Sequence, residues 1–413
     1  MNYNIEYIAF RNKPFLDGLL ISLVLFAELC FDGKALFLTP LIFLFRIALI
    51  KKLYMDSSYL WLFIMMLYTT VLGMVVPNNS DNFSVWYNWA VFLNLFFICI
   101  LIFQYTTIQQ FMRLLKNIVI LSSLLNGVYI LSHEYKVIIS RLPDYMLGRC
   151  GYRLGVNMGK NSNNIAWLFG LLALFTIYFF IEEKNWMMLL LYFFQLIIIF
   201  FTGSKNGILM AIIPIIYYGI KSLKKLNLMA CVLIIVLLVI LWNMIQNIPL
   251  FYALIGSRID QFLFAIGINQ MSSNSVIDVS STLKRMDMIK NAKQMFWEKP
   301  IFGWGIGAFA KYSGYGYYCH NNYMELLVSG GIVGFIIYYG YIIRRFLQYL
   351  FSHKNKYGDL IYILLISIII IDMGTVNFYS RISLYLRILF MFVLLVKFKS
   401  DKNSSIKEGE YSV

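Results

Sequence analysis

Residues 320–341 read HNNYMELLVSGGIVGFIIYYGY. A histidine and two asparagines give way to an apolar run whose one charge is Glu325. Twenty residues, 322–341, make about 30 Å of helix, enough to cross the hydrocarbon core of a bilayer. The segment therefore predicts a membrane span that begins at an aqueous loop, with a titratable imidazole at the boundary.

The whole chain agrees with that reading. Sixty per cent of its 413 residues are hydrophobic and its mean hydropathy is +0.72. Charged residues make up 13%, about half the share of a soluble domain, so the bilayer is the natural solvent. The first apolar run, Asp17 to Cys30, has no small-residue cleavage site after it, and similar runs recur to the C-terminus; it reads as a retained span. The net charge of +15 is spread over short turns and tails, and no nucleic-acid module is present. Five scattered cysteines suit neither a disulfide framework nor a metal cluster, although Cys150 and Cys319 both fall in polar loops.

The expected fold is an all-α polytopic membrane protein with about twelve spans, forming one membrane domain over 1–397 with a polar cytoplasmic tail at 398–413. The spans read as 16–31, 35–50, 59–76, 86–103, 118–132, 164–181, 186–201, 207–220, 226–245, 322–343, 359–377 and 382–396. With both termini inside, the basic turns fall on one face: Lys51-Lys52, Arg113 with Lys116, Lys221 with Lys224-Lys225, and Arg344-Arg345. Two long loops, 133–163 and 246–321, then face outward. Both carry more basic than acidic residues, which either reflects the freedom of long loops from the charge rule or marks a surface that holds an anion.

Within the second loop, STLKRMDMIKNAKQMFW (281–297) predicts a helix ended near Pro300. Met288, Ile289, Ala292, Met295 and Phe296 share one face with Arg285 in its middle, so that arginine either snorkels or meets an anion. PIFGWGIGAF (300–309) follows, with Gly303, Gly305 and Gly307 at alternate positions. Such backbone suits either close packing or the presentation of N–H groups to phosphate; it matches neither a P-loop nor a dinucleotide fingerprint.

His320 has the pKa range of a general base. Asn321 or Asn322 can cap the helix that follows, and Glu325 is near enough in sequence to orient the ring. Cys319 is a weak thiol-nucleophile candidate. His133 and His353 lie in different regions, so no zinc site is expected. Further cations come from GRCGYRLGVNMGKNSNN (148–164), with Arg149, Arg153 and Lys160, and from FTGSKNG (201–207), with Lys205.

Three segments together resemble the O-antigen ligase/polymerase superfamily of bacterial envelope glycan enzymes, most closely a Wzy-type O-antigen or capsular polysaccharide polymerase. They are the loop with Arg153, Gly155 and Asn163; Ser204-Lys205 after an apolar span; and the ordered run from Arg285 through Pro300, Gly303, Gly305, Gly307 and His320-Asn321 to Gly331 and Gly334. The resemblance implies a GT-C-like membrane core in the bacterial inner membrane, with a metal- and cofactor-independent site facing the periplasm or cell exterior. Donor and acceptor would be oligosaccharide repeats on undecaprenyl pyrophosphate, and a flippase and a chain-length regulator would be partners. It assigns the acceptor proton to His320 and the donor pyrophosphate to Arg285, with Arg153 and Lys205 beside it. Two positions depart from the pattern: Lys205 stands where arginine is usual, and Ser329 where an acidic residue is common. Lysine keeps the charge and loses the bidentate fork.

Overall fold

A computed structural model describes residues 2–31, 34–50, 53–54, 56–77, 83–147, 152–223, 236, 239–240, 242–257, 259–260, 276–351, 357–379 and 381–397. Regular structure among the described residues is helical throughout. The expected span 226–245 falls largely outside them, as do Arg149, Cys150, His353 and the 398–413 tail.

The chain divides into two compact units, Met1–Ser122 with Ile289–Val413, and Ser123–Met288. The first unit begins with α1 (Asn2–Cys30), a 3-10 turn at Lys34–Phe37, α2 (Thr39–Ile47), α3 (Ser57–Val75) and α4 (Val85–Phe103). The start of α5 (Ile108–Met146) and the end of α9 (Val276–Glu298) also belong to it. It continues with α10 (Ala308–Tyr312), α11 (Asn322–Phe335), a π turn at Ile336–Gly340, α12 (Tyr341–Leu350), α13 (Gly358–Asp372) and α14 (Ile382–Val396). The second unit holds the rest of α5, α6 (Ser162–Glu183), α7 (Trp186–Thr202), α8 (Lys205–Leu223) and the start of α9.

Each unit is built around one helix without a polar face. In the first, every residue of α14 from Ile382 to Leu395 is buried, against α4, α12 and α13. In the second, α6 is buried from Ile165 to Phe179 and packs on α7 and α8. A helix apolar all round suits a central position. Small residues let α6 and α8 touch: a Cβ on Gly207 would lie 2.8 Å from the carbonyl oxygen of Ala166. The peripheral α7 is apolar outward and polar inward. Trp186, Leu190, Phe193 and Ile197 are exposed while Gln195 and Thr202 are buried, the arrangement that lipid imposes.

Polar residues mark the helix ends. Asp56, Asn161, Asn185 and Asn321 accept from backbone N–H groups in the first turns of α3, α6, α7 and α11. Lys184 and Gly203, both left-handed, close α6 and α7. Among the described residues of the first unit, carboxylates pair with arginines: the buried Asp17 with Arg46, the half-buried Asp56 with Arg345, and the buried Asp372 with Arg387.

By length and composition, five helices can cross a membrane: Ser57–Val75, Val85–Phe103, Ile108–Met146, Ser162–Glu183 and Asn322–Leu350. Shorter apolar helices are Ala35–Ile47, Trp186–Thr202 and Ile382–Val396. All of these coincide with expected spans. The main difference is α5, which runs 39 residues and continues through Pro143 to Met146, so the first half of the expected 133–163 loop is helix. That stretch contains no earlier helix breaker. The second expected loop contains α9, longer than the predicted 281–297 but ended before Pro300 as expected.

Candidate functional site

The polar residues singled out above fall into one group in each unit. In the first unit, the run 300–306 is a strap against α11. That helix breaks at Gly331 (φ 60°, ψ −160°), and the break leaves backbone groups without helical partners. The strap supplies them: Trp304 N donates to Val328 O (2.7 Å) and Gly305 N to Ser329 O (2.8 Å). In return Ile332 N donates to Pro300 O (2.8 Å) and Val333 N to Ile301 O (3.2 Å). Tyr68 of α3 completes the set, its hydroxyl donating to Gly330 O at 2.8 Å.

Gly303 and Gly305 have φ of +71° and +98°, and a Cβ on either would collide with backbone of α11 or α3. The N–H groups of Gly303, Trp304, Gly305 and Ile306 all go to protein carbonyls. Of the two readings open for this glycine run, close packing is the one these contacts carry. Gly307 (φ +83°) starts α10.

The strap and α10 lead into the aromatic segment that ends at His320. His320 has φ +57°, a left-handed conformation uncommon for a residue with a side chain. Its half-buried ring lies 4.4 Å from the Tyr318 ring and 5.7 Å from that of Tyr317, centroid to centroid. Asn321 is the cap: its Oδ1 accepts from Met324 N (3.0 Å) and its Nδ2 donates to Met373 O (3.2 Å). Glu325 is fully buried, and its Oε2 accepts from Cys319 N at 2.7 Å, so the carboxylate holds the backbone next to His320. Its other oxygen and Ser329 Oγ, one turn along α11, are buried without a hydrogen-bond partner among the described residues. Cys319 is a buried thiol, which burial and then the Glu325 carboxylate push up from the ordinary thiol range. That makes it a poor nucleophile.

Asn322 reaches a network that the sequence reading missed. Its Nδ2 donates to Tyr339 Oη (2.7 Å) and Asp372 Oδ2 (3.2 Å), and its Oδ1 accepts from Asn377 N (2.8 Å) and Phe378 N (3.2 Å). Asp372 is paired with Arg387 Nη2 at 2.5 Å, both fully buried, and also accepts from Tyr339 and Asn377. The pair clamps the α13–α14 connection beneath the HN turn. Charged residues inside or at the edge of apolar runs were the available signal.

In the second unit, Arg153 sits where three helices meet. Its Nε donates to Thr202 O at the end of α7 (2.8 Å), and its Nη2 to Asn163 Oδ1 in the first turn of α6 (2.8 Å). Lys205 begins α8 three residues after Thr202, so the two cations flank one turn. Lys160 N closes the Arg153 loop on Gly155 O (2.8 Å). Arg153, Lys160 and Lys205 are all half-buried.

Arg285, also half-buried, lies on α9 as drawn from the sequence: Met288, Ala292 and Met295 are buried while Asp287, Lys290 and Gln294 are exposed. Arg153, Lys160, Lys205 and Arg285 thus belong to one unit, and His320, Asn321, Glu325 and the glycine strap to the other.

Residues 189–339 match a family model described as O-antigen ligase. The match covers less than half of the chain; it includes Lys205, Arg285, the strap and His320, and leaves out Arg153. No curated protein and no solved structure matches the chain. The family match, with the apolar helices, supports a membrane enzyme of polysaccharide assembly in the O-antigen ligase/polymerase superfamily, without separating polymerase from ligase.

Proposed function

We propose that the protein is a polysaccharide polymerase of the bacterial inner membrane, with the twelve spans read from its apolar runs and the GT-C-like core that the resemblance implies. It transfers a growing glycan from undecaprenyl pyrophosphate to the non-reducing end of a lipid-linked repeat unit on the outer face of that membrane. The observation that carries the reading is the HN turn: a histidine in a left-handed conformation whose two chain neighbours are anchored, Cys319 by Glu325 and Asn321 on Met373, inside the matched region.

In the proposed step His320 takes the proton of an acceptor hydroxyl as its oxygen attacks the donor's anomeric carbon. The bond to the lipid pyrophosphate breaks with inversion, and its electron pair leaves on the phosphate. Fixed cations stabilise that charge as it develops, and Arg153, Lys205 and Arg285 are assigned to it, with Arg149 and Lys160 supporting. The pathway's flippase and chain-length regulator are the proposed partners.

A ligase that sends the glycan to a lipid A-core acceptor is the second reading, favoured by the description of the matched family. Purified protein incubated with lipid-pyrophosphate-linked repeat units should give a ladder of longer products, and His320→Ala should give none while reaching the wild-type membrane level. Wild-type-like ladders from the variant would remove His320 from the chemistry. A deletion strain that accumulates long lipid-linked polymer, rather than single-repeat caps, would favour the ligase.

A further inference from the structure

The proposed reaction leaves open how the acceptor sugar is seated, and the segment before His320 has an organisation of its own. Phe309 of α10 is fully buried, and Tyr315 stacks on it at 5.9 Å with planes 10° apart. Tyr317 lies 6.4 Å from Tyr315, and His320 5.7 Å from Tyr317. Half-buried Tyr318 backs the imidazole at 4.4 Å. A row of rings thus runs from the protein core to the histidine, rising to the surface at Tyr317, which is 40% exposed.

Two features fit the row to a ligand. Gly314 and Gly316, which flank Tyr315 and precede Tyr317 in the chain, hold φ of +80° and +76°, and a Cβ on either would meet nothing within 4 Å, so the backbone that carries the rings borders open space. From Tyr312 to Tyr323 the segment contains no acidic residue, lysine or arginine. The nearest cation in sequence, Lys311, donates to the carbonyl of Pro77, and the nearest carboxylate in sequence, Glu325, is buried. Ring faces and phenol hydroxyls without formal charge do not suit a pyrophosphate. They suit a pyranose, whose face of polarised C–H bonds packs on the negative face of an aromatic ring while its hydroxyls stay at the rim.

We propose that Tyr317, supported by Tyr315 and Tyr318, is the seat of the acceptor's terminal pyranose ring, beside His320. This rests on the transferase reading above and adds the acceptor subsite to it. The Tyr317 and His320 planes meet at 58°, forming an open corner with the tyrosine as floor and the imidazole as wall. A sugar in van der Waals contact with the floor, at about 4 Å, has its rim hydroxyls turned toward the wall. The alternative occupant is the lipid headgroup layer, where tyrosines collect in any membrane protein. A continuous row of ring contacts, stacked at its buried end and tilted where it reaches the imidazole, favours the sugar.

The test uses full-length protein in nanodiscs, lipid-linked repeat units from cells lacking this protein as donor, and the soluble repeat oligosaccharide, tagged at its reducing end, as acceptor. Tyr317→Ala should raise the acceptor KM about five- to tenfold with kcat within about twofold of wild type, and Tyr317→Phe should stay within about twofold in both. Tyr317 is at the surface, and an unchanged thermal midpoint confirms that the variants fold. An unchanged acceptor KM in Tyr317→Ala overturns the proposal, as does a fall in kcat alone or a phenylalanine as damaging as alanine. Weakened membrane insertion with an unchanged KM would assign the rings to headgroups instead. Absence of any transfer by the wild type would sink the transferase reading itself; transfer by the wild type with an indifferent Tyr317→Ala would sink only the subsite.

Discussion

Replacing Gly303 with alanine should be far more damaging than the same change at Gly314, although the two have nearly the same backbone conformation. Their φ values are +71° and +80°. A Cβ in this left-handed region costs about 1–2 kcal/mol wherever it occurs. At Gly314 nothing lies within 4 Å, so that is the whole expected effect. At Gly303 the added carbon would sit 2.5 Å from the Ser329 carbonyl carbon and 2.6 Å from Gly330 N, both backbone. Relieving this contact pushes the strap off α11 and loosens the Trp304–Val328 and Gly305–Ser329 hydrogen bonds. Overpacking of this kind adds about 1–3 kcal/mol, giving about 2–5 kcal/mol in all. The assay is the fraction of detergent-solubilised protein that stays monodisperse after heating through a temperature series. Gly314→Ala should shift the midpoint slightly, and Gly303→Ala by more than twice as much. Equal midpoints would show that the strap does not hold the broken helix.

Asp372→Ala leaves the Arg387 guanidinium buried without its carboxylate and should cost about 3–5 kcal/mol, read as a large drop in the same midpoint; a drop no larger than that of a surface alanine would refute the pairing. Arg153→Lys cannot serve Thr202 O and Asn163 Oδ1 together, so it should lose about 1.5–3 kcal/mol, and a wild-type midpoint would mean that the fork is dispensable. Because the raised pKa keeps the Cys319 thiol protonated at pH 8, iodoacetamide should label it more than about a hundredfold more slowly in the folded protein than after denaturation, scored by peptide mass; comparable rates would contradict its burial. The sign is that of a raised acid: the folded state holds its proton above the unfolded pKa, so this group's contribution to stability is lost as pH rises from about 9 upward.

Much of this was legible in the chain, in a way that depends on periodicity. The apolar runs gave α3, α4, α6, α7 and α14 nearly to their ends, and the start of α11, because a run of that length has few alternatives to a helix. The face of α9 with buried Met288, Ala292 and Met295 followed from 100° spacing alone. Tertiary pairing was not legible. Glu325 is near enough in sequence to orient the His320 ring, but only the structure shows one of its oxygens accepting from the Cys319 amide; nothing local says which neighbouring donor a carboxylate will meet. The glycines of 300–309 left a phosphate cradle open beside the commoner reading of close packing, and the break of α11 at Gly331 supplies the carbonyls that decide it. Asp372 and Arg387 were overlooked because each sits in a different predicted span, and only their packing makes them a pair.

The break at Gly331 also bears on how the chain is assembled at the ribosome. A span with five unpaired backbone groups is costly in lipid. Every group that repairs this one, Tyr68 and then residues 300–305, precedes it in the chain. Synthesis runs from the N-terminus, so α11 leaves the insertion machinery with its partners already made. Asn322, at the head of the same helix, is in the opposite position. Apart from Tyr339, its partners Asp372, Asn377 and Phe378 are made some fifty residues later. The HN turn therefore acquires this part of its support only after some fifty further residues have been made.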